Sequence, residues 1–383
     1  MIKVLFLSAW YPNRYDAMFG LFVQKHAEAV SLFCDVNVLY VHADKNINTI
    51  KITESKKKNL TEIVVYYPIK DSKSGRILKL FGFLQAYYYG LKHLKISQVK
   101  PDIIHANILS RTGCIAYLIS RWKKIPYIVT EHWSRYLLDK TFTSLFHKYL
   151  TQFIVKKASV VLTVSELLKN GMIKNDLVNS DYRVIYNVVD ENFYADRPAV
   201  LQSRSRILHV SCFDEAAKNI KGILRAADKL SRKRDDFELV IIGTGQDFDD
   251  VNAFSKKIKF PNKTVQFLGE KTPEEVADWF RNSDIFVLFS NYETAGVVIA
   301  ESLVIGVPVI STRVGIASEL INNSNGILVE KANEDELCDA MNYMLDNTDK
   351  YDRETIKSNS KQLFSYQTIG KELCEIYKEI IAK

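Results

Sequence analysis

Two carboxylates in the C-terminal half have types and spacing that could bind a nucleotide. Residues 284–312 read as strand, turn, helix and strand, with Glu293 in the turn and Glu301 inside the helix. Gly296, near the helix start, lets an oxyanion approach backbone N–H groups, and the helix dipole favours a diphosphate there. A carboxylate one to two turns deeper can accept two hydrogen bonds from a ribose diol. Both glutamates can therefore face one pocket.

Glu301 also has a purely structural interpretation, as a surface residue of its helix. Its neighbours Val298, Ile299 and Leu303 are apolar, which argues against full exposure because such residues are usually buried. We therefore favour a binding role for Glu301.

The elements that must position these residues alternate between short β-branched runs and segments of helical period. A first series runs from Val4–Leu7 to Val184–Ile185, and a second from Ile207–Val210 to Ile327–Val329. Such alternation indicates βαβ units and parallel sheets. We predict an α/β protein with two Rossmann-like parallel-sheet domains that face each other across a cleft, where ligands of such folds bind.

The two series also predict where the domains begin and end. We assign residues 1–190 to the N-terminal domain, residues 191–206 to a linker and residues 207–363 to the C-terminal domain. Residues 364–383 carry a helical apolar stripe and should pack on a domain face, with the N-terminal domain as the candidate.

Composition limits the class of protein. The chain of 383 residues is long enough for two domains, and its 47% hydrophobic and 25% charged residues are typical of soluble globular proteins. Its five cysteines form no C-x-x-C pair, which favours a reducing compartment. No apolar run approaches the roughly 18 residues of a membrane-spanning helix. We expect a cytoplasmic protein whose membrane contact, if any, is peripheral.

Positive charge is concentrated in the first half. Residues 1–190 hold 27 Lys/Arg against 14 Asp/Glu, whereas the remainder is net negative. The excess of positive charge fits an anionic membrane surface, a diphosphate or a nucleic acid as partner, or simply a well-solvated surface.

Within this basic half, residues 76–95 have an apolar helical stripe formed by Leu80, Leu84, Tyr87, Leu91 and Leu94. We expect this helix to pack on the core with its lysines reaching solvent, and a membrane-facing helix is the alternative.

The pattern around the two glutamates resembles a known family. Seven residues separate Glu293 from Glu301, the strand Asp284–Ser290 precedes them, and Gly306-Val307-Pro308-Val309 follows. This arrangement is similar to that of the retaining, GT-B-fold glycosyltransferases of family 4. Further matches follow in the family's order: Trp10-Tyr11-Pro12, Gly20-Leu21-Phe22-Val23, Pro101–Ala106, Thr130-Glu131-His132 and Gly243-Thr244-Gly245.

The resemblance implies a reaction and its partners. The enzyme would move a hexose-type sugar from a UDP- or GDP-sugar to a glycan or lipid-linked glycan, in cell-surface polysaccharide or glycoconjugate synthesis. Residues 1–190 would then hold the acceptor and residues 207–363 the donor. The nucleotide sugar is a substrate, so no cofactor is implied, and the family works without a metal. Peripheral contact with an anionic membrane fits a lipid-linked acceptor, and no nucleic-acid partner is expected.

The family places an Arg and a Lys where they neutralise the leaving nucleoside diphosphate. In this chain Cys212 stands at the Arg position, and Lys218 follows six residues later. Lys218 is the predicted diphosphate cation and Lys221 the fallback. A cation is needed there because negative charge develops on the leaving oxygen.

The resemblance assigns the remaining site residues. Glu293 would hydrogen-bond sugar hydroxyls, His132 would lie near the transferred sugar, and Gly20 would belong to a loop that closes over it. A lone His or Gly also has an ordinary structural role. The predicted donor-binding set comprises Glu301, Gly296, Ala295, Thr294, Gly243, Gly20 and Lys221.

Three alternatives remain open. A non-hydrolysing nucleotide-sugar epimerase shares this architecture but should carry acid and base carboxylates in the first domain, and no convincing pair is present. A sugar-nucleotide-binding protein with impaired catalysis would explain Cys212. A nucleic-acid-binding protein would use the positive charge, but this chain lacks a recognisable nucleic-acid-binding motif.

The D-x-D within Asp247–Asp250 is interpreted as a helix start rather than a metal site.

Overall fold

The computed structural model describes residues 1–69, 75–96, 98, 100–109, 111–138, 141–195, 204–261 and 264–383. Residues 196–203 of the predicted linker lie outside this set. The chain divides into two compact units. Unit 1 comprises Met1–Val164, Lys169–Val188 and Tyr366–Lys383, and unit 2 comprises Ser165–Leu168 and Val189–Ser365.

Unit 1 contains a sheet in the order β3-β4-β2-β1-β5-β6-β7-β8 among the described residues. All its strand pairs are parallel except β3 with β4. The strands are β1 (Lys3–Ser8), β2 (Asp35–Asp44), β3 (Lys51–Lys57), β4 (Leu60–Pro68), β5 (Ile103–Asn107), β6 (Tyr127–Glu131), β7 (Val161–Thr163) and β8 (Tyr182–Val184). The predicted parallel α/β sheet is confirmed for this unit.

Sequence reasoning missed strand β3. Lys56 and Lys57 belong to this strand, which pairs antiparallel with β4 at the sheet edge. Most of its residues are exposed, because an edge strand needs no apolar face and lysines protect it from pairing with other chains.

The helices of unit 1 cover both faces of the sheet. Helix α1 contacts the C-terminal helix α14, and both pack on the face that carries Val4, Phe6 and Val38. Gly90 of helix α2 lies against Leu39 and Val65, on the opposite face. The helices are α1 (Leu21–Ser31), α2 (Gly75–His93), α3 (Arg111–Lys123), α4 (Leu145–Lys157), α5 (Glu166–Lys174, whose first residues belong to unit 2) and α14 (Tyr366–Ile381), with a 3-10 turn at Ser134–Leu137.

The apolar stripe predicted on α2 is only partly buried. Tyr87 is 3% exposed, whereas Leu80 and Leu84 are 49% and 45% exposed. The helix reaches the sheet through Ala86, Tyr87 and Gly90, of which only Tyr87 belongs to the predicted stripe. The expectation that the whole stripe packs on the core is therefore wrong for its first half.

Unit 2 contains a sheet in the order β11-β10-β9-β12-β13-β14 among the residues that the structure describes, and its strand pairs are all parallel. The strands are β9 (Ser205–Val210), β10 (Phe237–Ile242), β11 (Val265–Phe267), β12 (Ile285–Leu288), β13 (Val309–Thr312) and β14 (Gly326–Val329). The helices are α6 (Glu215–Lys218), α7 (Ile220–Ser231), α8 (Phe248–Lys257), α9 (Pro273–Arg281), α10 (Val297–Ile305), α11 (Ala317–Leu320), α12 (Glu334–Asp346) and α13 (Arg353–Lys361), with 3-10 turns at Glu191–Tyr194 and Thr348–Lys350.

No helix within the described ranges is long and apolar enough to cross a membrane.

Gly370 allows α14 to approach α1 closely, and this contact yields a stability prediction. A Cβ at this position would collide with the Ala29 carbonyl of α1. Alanine normally stabilises a helix relative to glycine by roughly 0.5–1 kcal/mol, but here we expect Gly370→Ala to destabilise unit 1 by about 1–3 kcal/mol through overpacking. Urea unfolding of the parent and the variant would measure this difference in the free energy of unfolding.

The neighbouring variant Lys371→Ala is the control, since Lys371 is exposed on the same helix and should change stability by less than about 0.5 kcal/mol. A Gly370→Ala protein as stable as the parent would contradict the close packing of α14 on α1.

Candidate functional site

In unit 2, the turn after β12 is fixed to the short helix α6. The Asn291 backbone N–H donates to the Ala217 carbonyl at 2.7 Å, and the Asn291 side-chain amide donates to the Ala216 carbonyl at 2.9 Å. Since Glu293 follows in this turn and Lys218 ends α6, the two backbone segments hold these side chains together. No sequence pattern singles out Asn291, because its role depends on this tertiary contact.

Lys218 and Glu293 form an ion pair between Nζ and Oε1. The same Oε1 accepts a hydrogen bond from the Ser290 hydroxyl at 3.2 Å. The two side chains are only 15% and 12% exposed. Burial is the largest single influence on Lys218 and acts to lower its pKa, but the Glu293 carboxylate, together with other negative groups such as Asp214, raises the pKa above its ordinary value. Lys218 is therefore a fixed cation.

The loops after β9 and β10 pack against each other beside this pair. Gly243 has φ 134°, and a Cβ there would collide with the Ser211 carbonyl, so only glycine fits. The Phe213 N–H donates to the Thr244 carbonyl at 2.9 Å. Cys212 lies between these contacts and is exposed.

Helix α10 begins directly after the Glu293 turn. Gly296 caps it with φ 68°, Ala295 is buried and Thr294 is half-buried. The Ile316 N–H donates to the Ala295 carbonyl at 2.9 Å, which fixes the turn. The first N–H groups of an α-helix have no partner within it and favour an anion. Glu301 is half-buried on the second turn of the same helix.

Lys221 pairs with a carboxylate other than Glu293. It belongs to α7, and its Nζ pairs with Asp250 of α8. In the same D-x-D stretch, Asp247 accepts the Glu215 N–H at 2.8 Å, so these carboxylates bind protein groups. Across the described part of the chain, no group of three His, Cys, Asp or Glu side chains is arranged to hold a metal ion.

Unit 1 carries the other predicted site residues, Gly20 and His132. Gly20 precedes α1 with φ 69°, and a Cβ there would collide with the backbone of Trp10, so the loop after β1 requires glycine. His132 follows β6 and is 5% exposed. Both of its ring nitrogens are buried without a hydrogen-bond partner among the described residues. A buried imidazole in this state can bind a ligand hydroxyl.

The surroundings of His132 keep it neutral. Its ring lies 4.6 Å from that of Phe22 and 5.6 Å from that of His26. Burial, and to a smaller extent His26 and His105, hold the pKa of His132 well below its usual value. At neutral pH it therefore offers one donor and one acceptor nitrogen.

Glu131, directly before His132, is a positioning residue that sequence reasoning did not single out. Its carboxylate accepts the backbone N–H groups of Leu109, His132 and Trp133 at 2.9, 2.8 and 2.9 Å. Burial raises its pKa to about 7 despite these bonds. It fixes the start of the His132 loop to the loop after β5. The glutamate within Thr130-Glu131-His132 was a possible signal, but its burial is decided by the fold.

Buried imidazoles generate a prediction on pH. Burial lowers the pKa of His26 and His209 to about 4, and those of His105 and His132 are lowered as well. Unfolded histidines bind protons below about pH 6.5, so the unfolded state gains protons relative to the folded state as the pH falls. Each group should cost up to about 1.4 kcal/mol of stability per pH unit.

Glu131 acts in the opposite direction, since its raised pKa favours proton uptake by the folded state below about pH 7. As the pH falls, the stability lost through the four imidazoles exceeds the stability gained through the one Glu131 carboxylate. We expect the free energy of unfolding to fall between about pH 7.5 and about pH 5.5, as measured by urea titration. A constant or rising value over this range would contradict the burial of neutral imidazoles.

Comparison of the sequence and the structure with known proteins identifies a family. The model described as "Glycosyl transferases group 1" matches residues 196–362, and the model described as "Glycosyltransferase Family 4" matches residues 42–193. The chain is 27% identical over 290 residues to an uncharacterised glycosyltransferase of Methanocaldococcus jannaschii, with 73% of this chain and 76% of that protein covered.

A second relative is N-acetyl-alpha-D-glucosaminyl L-malate synthase of Bacillus anthracis, 28% identical over 240 residues, or 60% of this chain and 61% of that protein. Among solved structures, HepE of Anabaena in complex with UDP and glucose matches with a TM-score of 0.74 at 18% identity, over 99% of this chain and 100% of that chain. These similarities favour a transferase over the epimerase alternative. The chain belongs to the family 4 (group 1) glycosyltransferases, and it is a glycosyltransferase with the GT-B fold.

Proposed function

We propose that the enzyme moves a hexose-type sugar, with retention of configuration, from a UDP- or GDP-sugar to a glycan or lipid-linked glycan in cell-surface polysaccharide or glycoconjugate synthesis. The observation that carries the proposal is the Lys218–Glu293 pair beside the start of α10. It brings a fixed cation, a carboxylate and helical N–H groups to one place, as the transfer from a sugar diphosphate requires.

The diphosphate is the group that Lys218 would bind. Cleavage of the sugar–phosphate bond leaves negative charge on the phosphate oxygen, and one well-placed donor is worth about 2.7–4 kcal/mol in such a site. With Cys212 at the family's Arg position, Lys218 and the first N–H groups of α10 would share this task. Thr294, Ala295 and Gly296 would contribute through the backbone, and Gly243 would let the donor approach closely.

The carboxylates would orient the donor. Glu293, held by Lys218 and Ser290, would accept hydrogen bonds from sugar hydroxyls. Glu301 would accept those of the ribose diol. In same-face substitution the bond from the anomeric carbon to phosphate breaks, and the departing phosphate oxygen takes the proton of the attacking acceptor hydroxyl. No side chain has to act as a covalent nucleophile.

The residues of unit 1 would contact the transferred sugar. The unpartnered nitrogens of neutral His132 can donate to one hydroxyl and accept from another. Glu131 would keep its loop in place, and the Gly20 loop would close over the sugar. Neither role requires a metal or a cofactor.

The identities of donor and acceptor rest on different support. HepE was solved with UDP and glucose, which favours a UDP-sugar here. The Bacillus anthracis relative is named for L-malate, so likeness within the family does not define the acceptor. The basic first half, with 27 Lys/Arg against 14 Asp/Glu, supports a lipid-linked acceptor and peripheral contact with an anionic membrane at the cytoplasmic face.

A donor titration tests the proposal first. UDP-, GDP- and ADP-sugars would be added to the protein and its thermal unfolding followed. A ligand at 100 times its dissociation constant stabilises the native state by about 2.7 kcal/mol. We expect one sugar nucleotide to raise the melting temperature and Glu301→Gln to reduce the rise. No response across the panel from folded protein would contradict the proposed donor site.

A kinetic comparison tests the diphosphate cation. We expect Lys218→Met to lower kcat by roughly a hundredfold or more, because the lost interaction forms with the leaving group. Lys229→Met is the control. Lys229 lies in the last turn of α7 and pairs with Asp335 of α12 instead of with a site residue. A larger loss in Lys221→Met than in Lys218→Met would transfer the role to the fallback residue. NMR of the product anomer would test retention.

A further inference from the structure

Helices α2, α3 and α4 of unit 1 expose an unusual number of large apolar side chains. Among the described residues, 23 large hydrophobic side chains are exposed, and 12 of them lie on these three helices. They are Leu78, Leu80, Phe81, Leu84, Tyr88, Tyr89, Leu118, Trp122, Leu145, Phe146, Tyr149 and Phe153. We call this set the aromatic face.

The exposed side chains form ridges along each helix, opposite the buried side. On α4, Leu145, Phe146 and Tyr149 are 72%, 76% and 65% exposed, while Ile154 and Val155 are buried. On α3 the exposed residues are spaced by one turn, at Leu118 and Trp122, and on α2 they recur at Phe81, Leu84 and Tyr88. This is the periodicity of amphipathic helices whose second apolar side has no partner within the unit.

The three helices lie side by side, so the ridges belong to one surface. Tyr117 of α3 and Phe153 of α4 have ring centroids 5.0 Å apart. The Arg111 guanidinium at the start of α3 lies 5.7 Å from the ring of Phe83 on α2. Clusters of large exposed apolar side chains mark protein or membrane interaction sites.

The charged residues of the three helices are all basic. The sequences of the three helices contain nine Lys/Arg and no Asp or Glu, and residues 75–157 hold 14 Lys/Arg against three Asp/Glu. At the end of α2, a groove of about 720 Å³ beside Tyr89 is lined by Lys56 and Lys95 in addition to Lys92, and by one carboxylate, that of Glu54. The three helices that carry the aromatic face thus hold nine of the 27 Lys/Arg of residues 1–190 and none of their Asp/Glu.

We propose that the aromatic face is a membrane-binding surface that inserts its apolar ridges among the headgroups of an anionic lipid bilayer. Aromatic and aliphatic side chains between lysines and arginines have the chemistry of an interfacial helix surface. Each cation near an anionic leaflet contributes about 1 kcal/mol, or roughly fivefold in partitioning.

The charge argues against the other occupants. Two copies of the face would bring like charges together, which disfavours self-association. A nucleic acid would use the cations but not protruding side chains such as Phe146 and Leu145, which are aimed at solvent. A partner protein would need an acidic surface with apolar pockets, and it is an outcome of the test below.

This inference deepens the proposed membrane contact and rests on that part of the proposed function alone. Hydrolysis or transfer of the donor in the absence of lipid does not depend on it. A failed vesicle assay with an active enzyme would therefore leave the proposed reaction intact.

Vesicle flotation tests the face. The full chain would be mixed at low salt with phosphatidylcholine vesicles, alone or with about 30% phosphatidylglycerol. We expect binding to the anionic vesicles only. We further expect Phe81→Ser with Phe146→Ser, and separately Lys156→Glu with Lys157→Glu, to weaken this binding by about tenfold or more.

Matched controls lie on the opposite side of the sheet. Leu32→Ser changes an exposed apolar residue at the end of α1, and Lys371→Glu with Lys378→Glu reverses two exposed cations of α14. We expect these variants to bind like the parent. Thermal unfolding would verify that every variant is folded.

Three results would overturn the inference. The first is a parent protein that ignores anionic vesicles. The second is binding that the controls weaken as much as the face variants do. The third is a dimer, or a complex with an acidic protein, that Phe146→Ser disrupts while vesicle binding is unchanged.

Discussion

The ion pair between Lys218 and Glu293 is the interaction on which the site of unit 2 depends. The two side chains are 15% and 12% exposed, so most of their hydration is lost. Their attraction must offset desolvation of several kcal/mol per ion, which makes such a pair a poor source of stability. It is a good source of preorganisation, because a cation and a carboxylate are already in place before a ligand arrives.

In each unit, the loops that carry the candidate site residues pack closely against neighbouring backbone. Gly243 and Gly296 in unit 2, and Gly20 in unit 1, have positive φ, and a Cβ at Gly243 or Gly20 would collide with backbone atoms. These glycines allow loops after parallel strands to pack against their neighbours, so side chains at the carboxyl edges of the sheets are held by rigid turns. Asn291 and Glu131 complete this support with hydrogen bonds to backbone groups.

Burial gives the histidines of the chain different roles. His105 bonds Tyr377 and Thr130 at 2.6 and 2.5 Å and joins α14 to the sheet of unit 1, which is the ordinary structural use of a buried imidazole. His132 is equally buried but has no such partners among the described residues. Two buried histidines of one unit therefore differ in role: His105 is structural, and His132 is available to a ligand.

The sequence alone determined the parallel α/β architecture, most strand positions and the family, because hydrophobic period and the spacing of Glu293 and Glu301 are local properties. It did not reveal β3, whose exposed edge position leaves no apolar pattern, or the exposure of Leu80 and Leu84, since an apolar stripe has the same period whether it faces a sheet or solvent. Only tertiary structure decided that Lys218 rather than Lys221 meets Glu293, because the direction of each side chain is set by how α6 and α7 pack.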